Sequence, residues 1–131
     1  MSSFGDYLKG QDKEGKEKHT PTIEIVREGE NICPLVRITV GKETPHPNTV
    51  EHHIKWIDLF GIKKENEQLI HISTFDLGPT IAFPEVSVHV LLDEMESLIA
   101  ISYCNIHGAW ESQVKVMPAC RAASLCGAGR V

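Results

Sequence analysis

A cysteine and a histidine stand three positions apart in the segment YCNIHGAWES, residues 103–112. A thiolate and an imidazole both bind transition metals, and a short peptide can place Cys104 and His107 on one ion. Gly108 follows directly, and a glycine allows the backbone to turn sharply after the second of these side chains. Two ligands do not complete a site, so any metal site here needs side chains from elsewhere in the chain.

Three other histidines stand where loops or strand ends are predicted. His19 precedes the first predicted strand, His46 lies in the loop KETPHPNTVE, and His52 opens the third predicted strand. Loops and strand ends at one edge of a β-sandwich can converge on one point, as binding loops do. The sequence therefore predicts a metal site built from four imidazoles and one thiolate: His19, His46, His52, Cys104 and His107.

This set of ligands favours iron. Structural zinc is four-coordinate and usually has two or more thiolates, so four histidines with one cysteine are too many ligands for it. Blue copper uses two histidines, one cysteine and a weak axial methionine, and no methionine accompanies Cys104. Four nitrogens and one sulfur with an open sixth position suit a redox-active iron, and a thiolate opposite that position can push electron density toward a bound oxygen species. We expect one iron ion per chain.

Length and charge limit the class of protein. The 131 residues correspond to one domain, and the net charge of -5 argues against a nucleic-acid or anionic-membrane partner. No apolar run is long enough to span a bilayer, and the N-terminal sequence has no signal-peptide-like apolar region. We therefore expect a cytoplasmic protein. Its four cysteines are expected to be reduced thiols or metal ligands: Cys33, Cys104, Cys120 and Cys126.

Seven short segments have the composition of strands, with turn-like sequences between them and no convincing helix. They are residues 22–28, 33–41, 52–62, 69–77, 86–94, 97–105 and 111–118. The pattern predicts an all-β fold, an immunoglobulin-like seven-stranded antiparallel β-sandwich. We expect a polar, loosely ordered N-terminal segment (1–18), an iron-binding sandwich domain (19–118) and a C-terminal tail (119–131).

Strand alternation also separates the other histidines from the predicted site. In the third segment His52, Ile54 and Trp56 fall on one face and His53 on the other, so His53 is expected to be structural or exposed. His71 and His89 stand in strands without partners at ligand spacing. We expect both to be core or surface histidines.

Three separated stretches resemble the superoxide reductases of the smaller, neelaredoxin type. They are EKHTP (17–21), HPNTVEHHIKWI (46–57) and SYCNIHGAWES (102–112), and VGKE (40–43) agrees as well. With gaps, the resemblance extends from about residue 17 to 117. The connection DLGPTIAFPE (76–85) is shorter than the glycine-rich connection of the family.

The resemblance implies a role for each site residue. His19, His46, His52 and His107 would be the equatorial ligands of the iron and Cys104 the axial ligand. Glu17 would occupy the sixth position in the ferric state, and Lys18 would lie beside the open site.

The resemblance also implies an activity, the one-electron reduction of superoxide to hydrogen peroxide. A rubredoxin-like donor would re-reduce the iron, and the family is often homotetrameric. Two alternatives stay open at this point. One is a superoxide dismutase, which would also release dioxygen, and the other is a non-catalytic iron-binding or electron-transfer sandwich in which Glu17 never leaves the iron.

Overall fold

Seven strands form two antiparallel sheets in the computed structural model, which describes residues 2–14, 19–27 and 33–118. The strands are β1 (Pro21–Val26), β2 (Leu35–Val40), β3 (Ile54–Lys63), β4 (Leu69–Asp76), β5 (Glu85–His89), β6 (Met95–Cys104) and β7 (Gly108–Lys115). One sheet has the order β1-β2-β5 and the other β4-β3-β6-β7. The predicted immunoglobulin-like seven-stranded sandwich is confirmed. The fourth strand pairs with β3, whereas in constant-type immunoglobulin domains it joins the sheet of the first, second and fifth strands.

The core lies between the two sheets and follows from the alternation of side chains along the strands. In β2 every second residue, from Val36 through Ile38 to Val40, is buried. Ile38 and Leu59 are 0% exposed, and burying each such side chain contributes roughly 1.5–3 kcal/mol. Cys104, the last residue of β6, belongs to the same buried cluster. The Cys104 thiol therefore lies within the core, at the end where β6 stops.

The face predicted for Ile54 was wrong. Ile54 pairs with Cys104, but Trp56 pairs with Tyr103, so Lys55 forms a β-bulge at the start of β3. An extra residue in one strand shifts the alternation by one position. Ile54 consequently shares the core with Ile57 instead of sharing a face with Trp56.

Residues 2–14 of the N-terminal segment are more ordered than their polar composition predicted. Two 3-10 turns, Phe4–Tyr7 and Gln11–Lys13, flank Lys9, which pairs with β7. The Lys9 N–H donates to the Ala109 carbonyl at 3.1 Å, and the Glu111 N–H donates to the Lys9 carbonyl at 2.8 Å. These two bonds attach the segment next to the turn between β6 and β7.

Two predicted boundaries stay predictions. The boundary between residues 18 and 19 adjoins residues 15–18, which lie outside the described residues. The tail 119–131, with Cys120 and Cys126, also lies outside the described residues. Within the described ranges, no helix has both the length and the apolar character needed to cross a bilayer.

Candidate metal centre

One end of the sandwich brings together all five predicted metal ligands. His19 directly precedes β1, His46 and His52 lie in the connection from β2 to β3, Cys104 ends β6, and His107 lies in the turn before β7. These positions are neighbours because β1 starts where β2 ends and β3 starts where β6 ends. The antiparallel pairing thus gathers residues that are up to 88 positions apart in the sequence.

The four imidazoles stand at the corners of a near square. Successive ring centroids are 4.8 Å apart from His19 to His46, 4.7 Å from His46 to His52, 5.1 Å from His52 to His107 and 4.8 Å from His107 to His19. The diagonal from His19 to His52 is 6.4 Å. Neighbouring rings are steeply inclined to each other, by 65–78°. This arrangement is suited to four nitrogen ligands around one ion.

The potential ligand atoms are close enough to share an ion. One atom from each of His19, His52, Cys104 and His107 lies within 4.8 Å of the others. His19 Nε2 is 3.2 Å from His107 Nδ1, and Cys104 Sγ is 3.8 Å from the same nitrogen. Metal bonds of about 2.0–2.3 Å to nitrogen and sulfur place neighbouring ligand atoms at roughly these separations. His46 is not in this group of atoms, but its ring lies next to the rings of His19 and His52.

A hydrogen bond determines which ring nitrogen of His46 is available to a metal. Its Nδ1 lies 2.8 Å from the Pro47 carbonyl, to which only a protonated ring nitrogen can donate. In the neutral imidazole Nε2 then carries the lone pair that a metal requires. The backbone before His46 passes very close to Gly41, whose φ is 81°. An added Cβ at Gly41 would lie 2.5 Å from the backbone nitrogen of His46, so this connection depends on a glycine.

His19 is held from several directions. Glu14 accepts the backbone N–H of His19 at 2.8 Å and that of Thr20 at 2.6 Å. Ser102 donates its hydroxyl to the His19 carbonyl at 2.9 Å, and the Trp110 ring stacks on the imidazole with centroids 4.7 Å apart. These contacts hold both the backbone and the ring of His19 in place.

The charge of Glu14 adds to this arrangement. Burial alone would raise the pKa of Glu14, but hydrogen bonds from Thr20 and from the backbone of His19, with the attraction of the His19 ring, outweigh burial and lower the pKa. The Glu14 side chain is only 7% exposed and lies 3.9 Å from His19 Nδ1. An ionised carboxylate therefore stands beside the first imidazole. Sequence reasoning missed Glu14, because it lies in a charged run, and such runs are by default solvated surface.

Asn105 joins the two loops that carry most of the ligands. Its Oδ1 accepts the His53 N–H at 2.8 Å, and its Nδ2 donates to the Glu51 carbonyl at 2.9 Å. Its own N–H donates to the His53 carbonyl at 3.2 Å. Asn105, which directly follows Cys104, thus binds the residues on both sides of His52. Such hydrogen bonds around a metal site orient its ligands.

The thiol of Cys104 is enclosed. Cys104 is 0% exposed, and the His107 N–H donates to Sγ at 3.3 Å. This hydrogen bond holds the sulfur near the His107 ring, whose Nδ1 is 3.8 Å away. The sulfur therefore lies on the core side of the site.

The remaining predicted residues are distributed as follows. Glu17 and Lys18 lie outside the described residues. His53 is 7% exposed and its Nδ1–H donates to the Thr49 carbonyl, so it is close to the site without joining the square. His71 and His89 are exposed, and each makes a hydrogen bond away from the site.

The chain is similar to known proteins over most of its length. Residues 11–113 match the sequence pattern of the desulfoferrodoxin family. A superoxide reductase of Pyrococcus abyssi is 38% identical over 114 residues, which are 85% of this chain and 96% of that protein. One from Thermococcus kodakarensis is 38% identical over 110 residues, 82% of this chain and 93% of the relative. The structure of a superoxide reductase (neelaredoxin) from Ignicoccus hospitalis is similar with a TM-score of 0.76 and 32% identity, covering 88% of this chain and 98% of that one.

Proposed function

Since this chain belongs to the desulfoferrodoxin family, we propose that it is a superoxide reductase, which reduces superoxide to hydrogen peroxide. The observation that carries the proposal is the square of four imidazoles with the Cys104 thiol beside it. In the reaction superoxide takes up one electron and two protons, and no dioxygen is released.

The donor atoms fit one iron ion. Four neutral nitrogens and one thiolate give the five ligands that suit a redox-active iron with a position left for substrate. His19, His46, His52, Cys104 and His107 would hold the iron, which would supply the single electron in its ferrous form.

The protein residues determine the charge at the site. Imidazoles bind a metal as neutral ligands, so the thiolate of Cys104 is the one negative ligand in the set. A ferrous ion with one thiolate has a net charge of +1, which attracts an anion although the whole chain has a net charge of -5.

The function is tested by measuring products under a steady flux of superoxide. The iron-loaded protein with a reductant should form one hydrogen peroxide per superoxide consumed and no dioxygen. One dioxygen for every two superoxide ions would instead identify a dismutase. A protein that binds iron but does not accelerate loss of superoxide would be the non-catalytic alternative.

Glu17 is proposed as the sixth ligand in the ferric state only. Replacing it, Glu17→Ala, should change the visible spectrum of the oxidised protein but leave the rate of superoxide capture within about twofold. A carboxylate that binds after oxidation has no part in the first encounter. The rate is measured by pulse radiolysis of the reduced protein. A loss of rate as large as that caused by removing a histidine ligand would contradict this role.

Lys18 is proposed to attract superoxide to the open position. A cation ~5 Å from the anion attracts it by about 0.8 kcal/mol at a dielectric constant of 80 and about 3 kcal/mol at 20. Lys18→Ile should therefore slow the second-order reaction by roughly 4- to 150-fold while iron stays bound. The variant should also depend less on ionic strength, because part of the screened attraction is gone.

Two controls isolate the charge of Lys18. Lys18→Arg keeps the charge and should retain most of the rate. Lys64→Ile removes an exposed lysine in the turn after β3, far along that strand from the site, and should change neither the rate nor its salt dependence. Equal rates and salt slopes in Lys18→Ile and the parent would show that Lys18 is an ordinary surface lysine.

Three further features belong to the proposal. A rubredoxin-like protein is the proposed electron donor, and a homotetramer is the proposed assembly, both from the family resemblance. We also assign the protein to the cytoplasm. In the described part of the chain Cys104 is in no disulfide, which suits a reducing compartment.

A further inference from the structure

The carbonyl of His107 accepts two side-chain hydrogen bonds. Lys9 Nζ donates to it at 2.9 Å and Trp110 Nε1 donates at 3.2 Å. His107 Nδ1 lies 3.2 Å from His19 Nε2 and 3.8 Å from Cys104 Sγ, and Gly108 after it has a φ of 84°. Two donors on one carbonyl thus fix the peptide that joins a proposed metal ligand to the turn into β7.

The position of the Lys9 ammonium is set by backbone contacts as well as by its own bond. Hydrogen bonds to Ala109 and Glu111 hold both sides of the Lys9 backbone against β7. The ammonium lies 5.4 Å from the centroid of the Trp110 ring, within range of a cation–π contact. Lys9 is therefore anchored by four contacts, although the residue is exposed.

The charge of Lys9 is not cancelled by these partners. The His107 carbonyl and the Trp110 ring are both uncharged, and each presents the negative part of its charge distribution to the ammonium. A fixed positive charge near a redox metal favours the less positive oxidation state. Placed beside the turn of Cys104 and His107, the charge should favour the reduced form of a bound iron.

We propose that Lys9 is a positioning residue that holds the Cys104–His107 turn and, through its charge, raises the reduction potential of the bound iron. The inference rests on the proposed iron site. It assigns a role to the N-terminal segment that is separate from the attraction of superoxide by Lys18. A higher potential keeps more of the protein in the ferrous form at a given ambient potential.

The test compares three substitutions at Lys9 with one control. Lys9→Met removes charge and hydrogen bond, Lys9→Gln removes the charge but keeps an N–H donor, and Lys9→Arg keeps both. The control is Lys13→Met, which makes the same change of net charge at an exposed lysine of the same segment. The reduction potential of the iron-loaded proteins is measured by redox titration of the visible spectrum.

We expect Lys9→Met and Lys9→Gln to lower the ferrous-to-ferric ratio at fixed ambient potential about three- to tenfold. For a one-electron couple this corresponds to about 30–59 mV. Lys9→Arg and Lys13→Met should stay within twofold of the parent. The difference between Lys9→Gln and the parent should become smaller at high ionic strength, because the charge is exposed and screened. If Lys9→Met fails to hold iron, the pair Lys9→Gln and Lys9→Arg gives the same comparison.

The outcomes separate this inference from the proposed function. A change below twofold in Lys9→Gln, or an equal change in Lys13→Met, would overturn the role of Lys9 even if the parent forms peroxide from superoxide. A lower potential in Lys9→Gln with no superoxide reduction by the parent would support the role of Lys9 and reject the reductase. The titration needs only bound iron and does not depend on the activity.

Discussion

Replacing Cys104 with serine should abolish the visible absorption band of the oxidised, iron-loaded protein and slow peroxide formation by roughly 100-fold or more. The band is expected from charge transfer between a thiolate and ferric iron, and a serine hydroxyl does not ionise at neutral pH to replace the thiolate. Loss of groups that only orient metal ligands costs about 10- to 100-fold, so loss of a ligand should cost at least the upper value. The structure adds that Cys104 is fully buried, with one N–H donor aimed at its sulfur.

Cys33→Ser is the matched control for this change. Cys33 is a half-buried cysteine two residues before β2 and is not in the group of converging ligand atoms. That variant should keep the band, the iron content and the rate. Iron content is measured by metal analysis and the band by absorption spectroscopy. An unchanged band in Cys104→Ser would exclude Cys104 as a ligand.

Gly41→Ala should lower the free energy of unfolding by about 2–4 kcal/mol and reduce iron content. The left-handed conformation at φ 81° costs a non-glycine residue roughly 1–2 kcal/mol. The new Cβ would also lie 2.5 Å from the backbone nitrogen of His46 and 2.9 Å from the Thr44 carbonyl oxygen. Both contacts are with backbone, so the segment must move, and His46 moves with it.

Gly78→Ala tests whether the effect belongs to the site or to any loop glycine. No atom lies within 4 Å of a Cβ built at Gly78, and its φ is not in the left-handed region. This variant should stay within about 0.5 kcal/mol of the parent and bind iron fully, as surface substitutions usually do. Stability is measured by chemical denaturation of the metal-free proteins. Equal stability and equal iron content in the two variants would contradict the proposed contact between Gly41 and His46.

The sequence by itself determined the strands and the identity of the proposed ligands. Alternating apolar residues, such as Val36, Ile38 and Val40, predict a strand with one buried face, because the side-chain period of a strand is local. All seven predicted strands are present. The types of the ligands also depend only on local chemistry, since nitrogen and sulfur donors at loop positions suggest a metal wherever the loops lie.

The tertiary structure decided how those residues meet and what surrounds them. The square of imidazoles, the β-bulge at Lys55 and the Asn105 bonds depend on pairing between β3 and β6, which are distant in sequence. Glu14 and Lys9 lie in the N-terminal segment that was predicted to be polar and loosely ordered. The Glu14 carboxylate accepts the backbone N–H of His19, and Lys9 donates to the carbonyl of His107, 98 positions away. A residue's own type does not reveal such contacts, because they arise only when the packing of the sheets brings the N-terminal segment against β7.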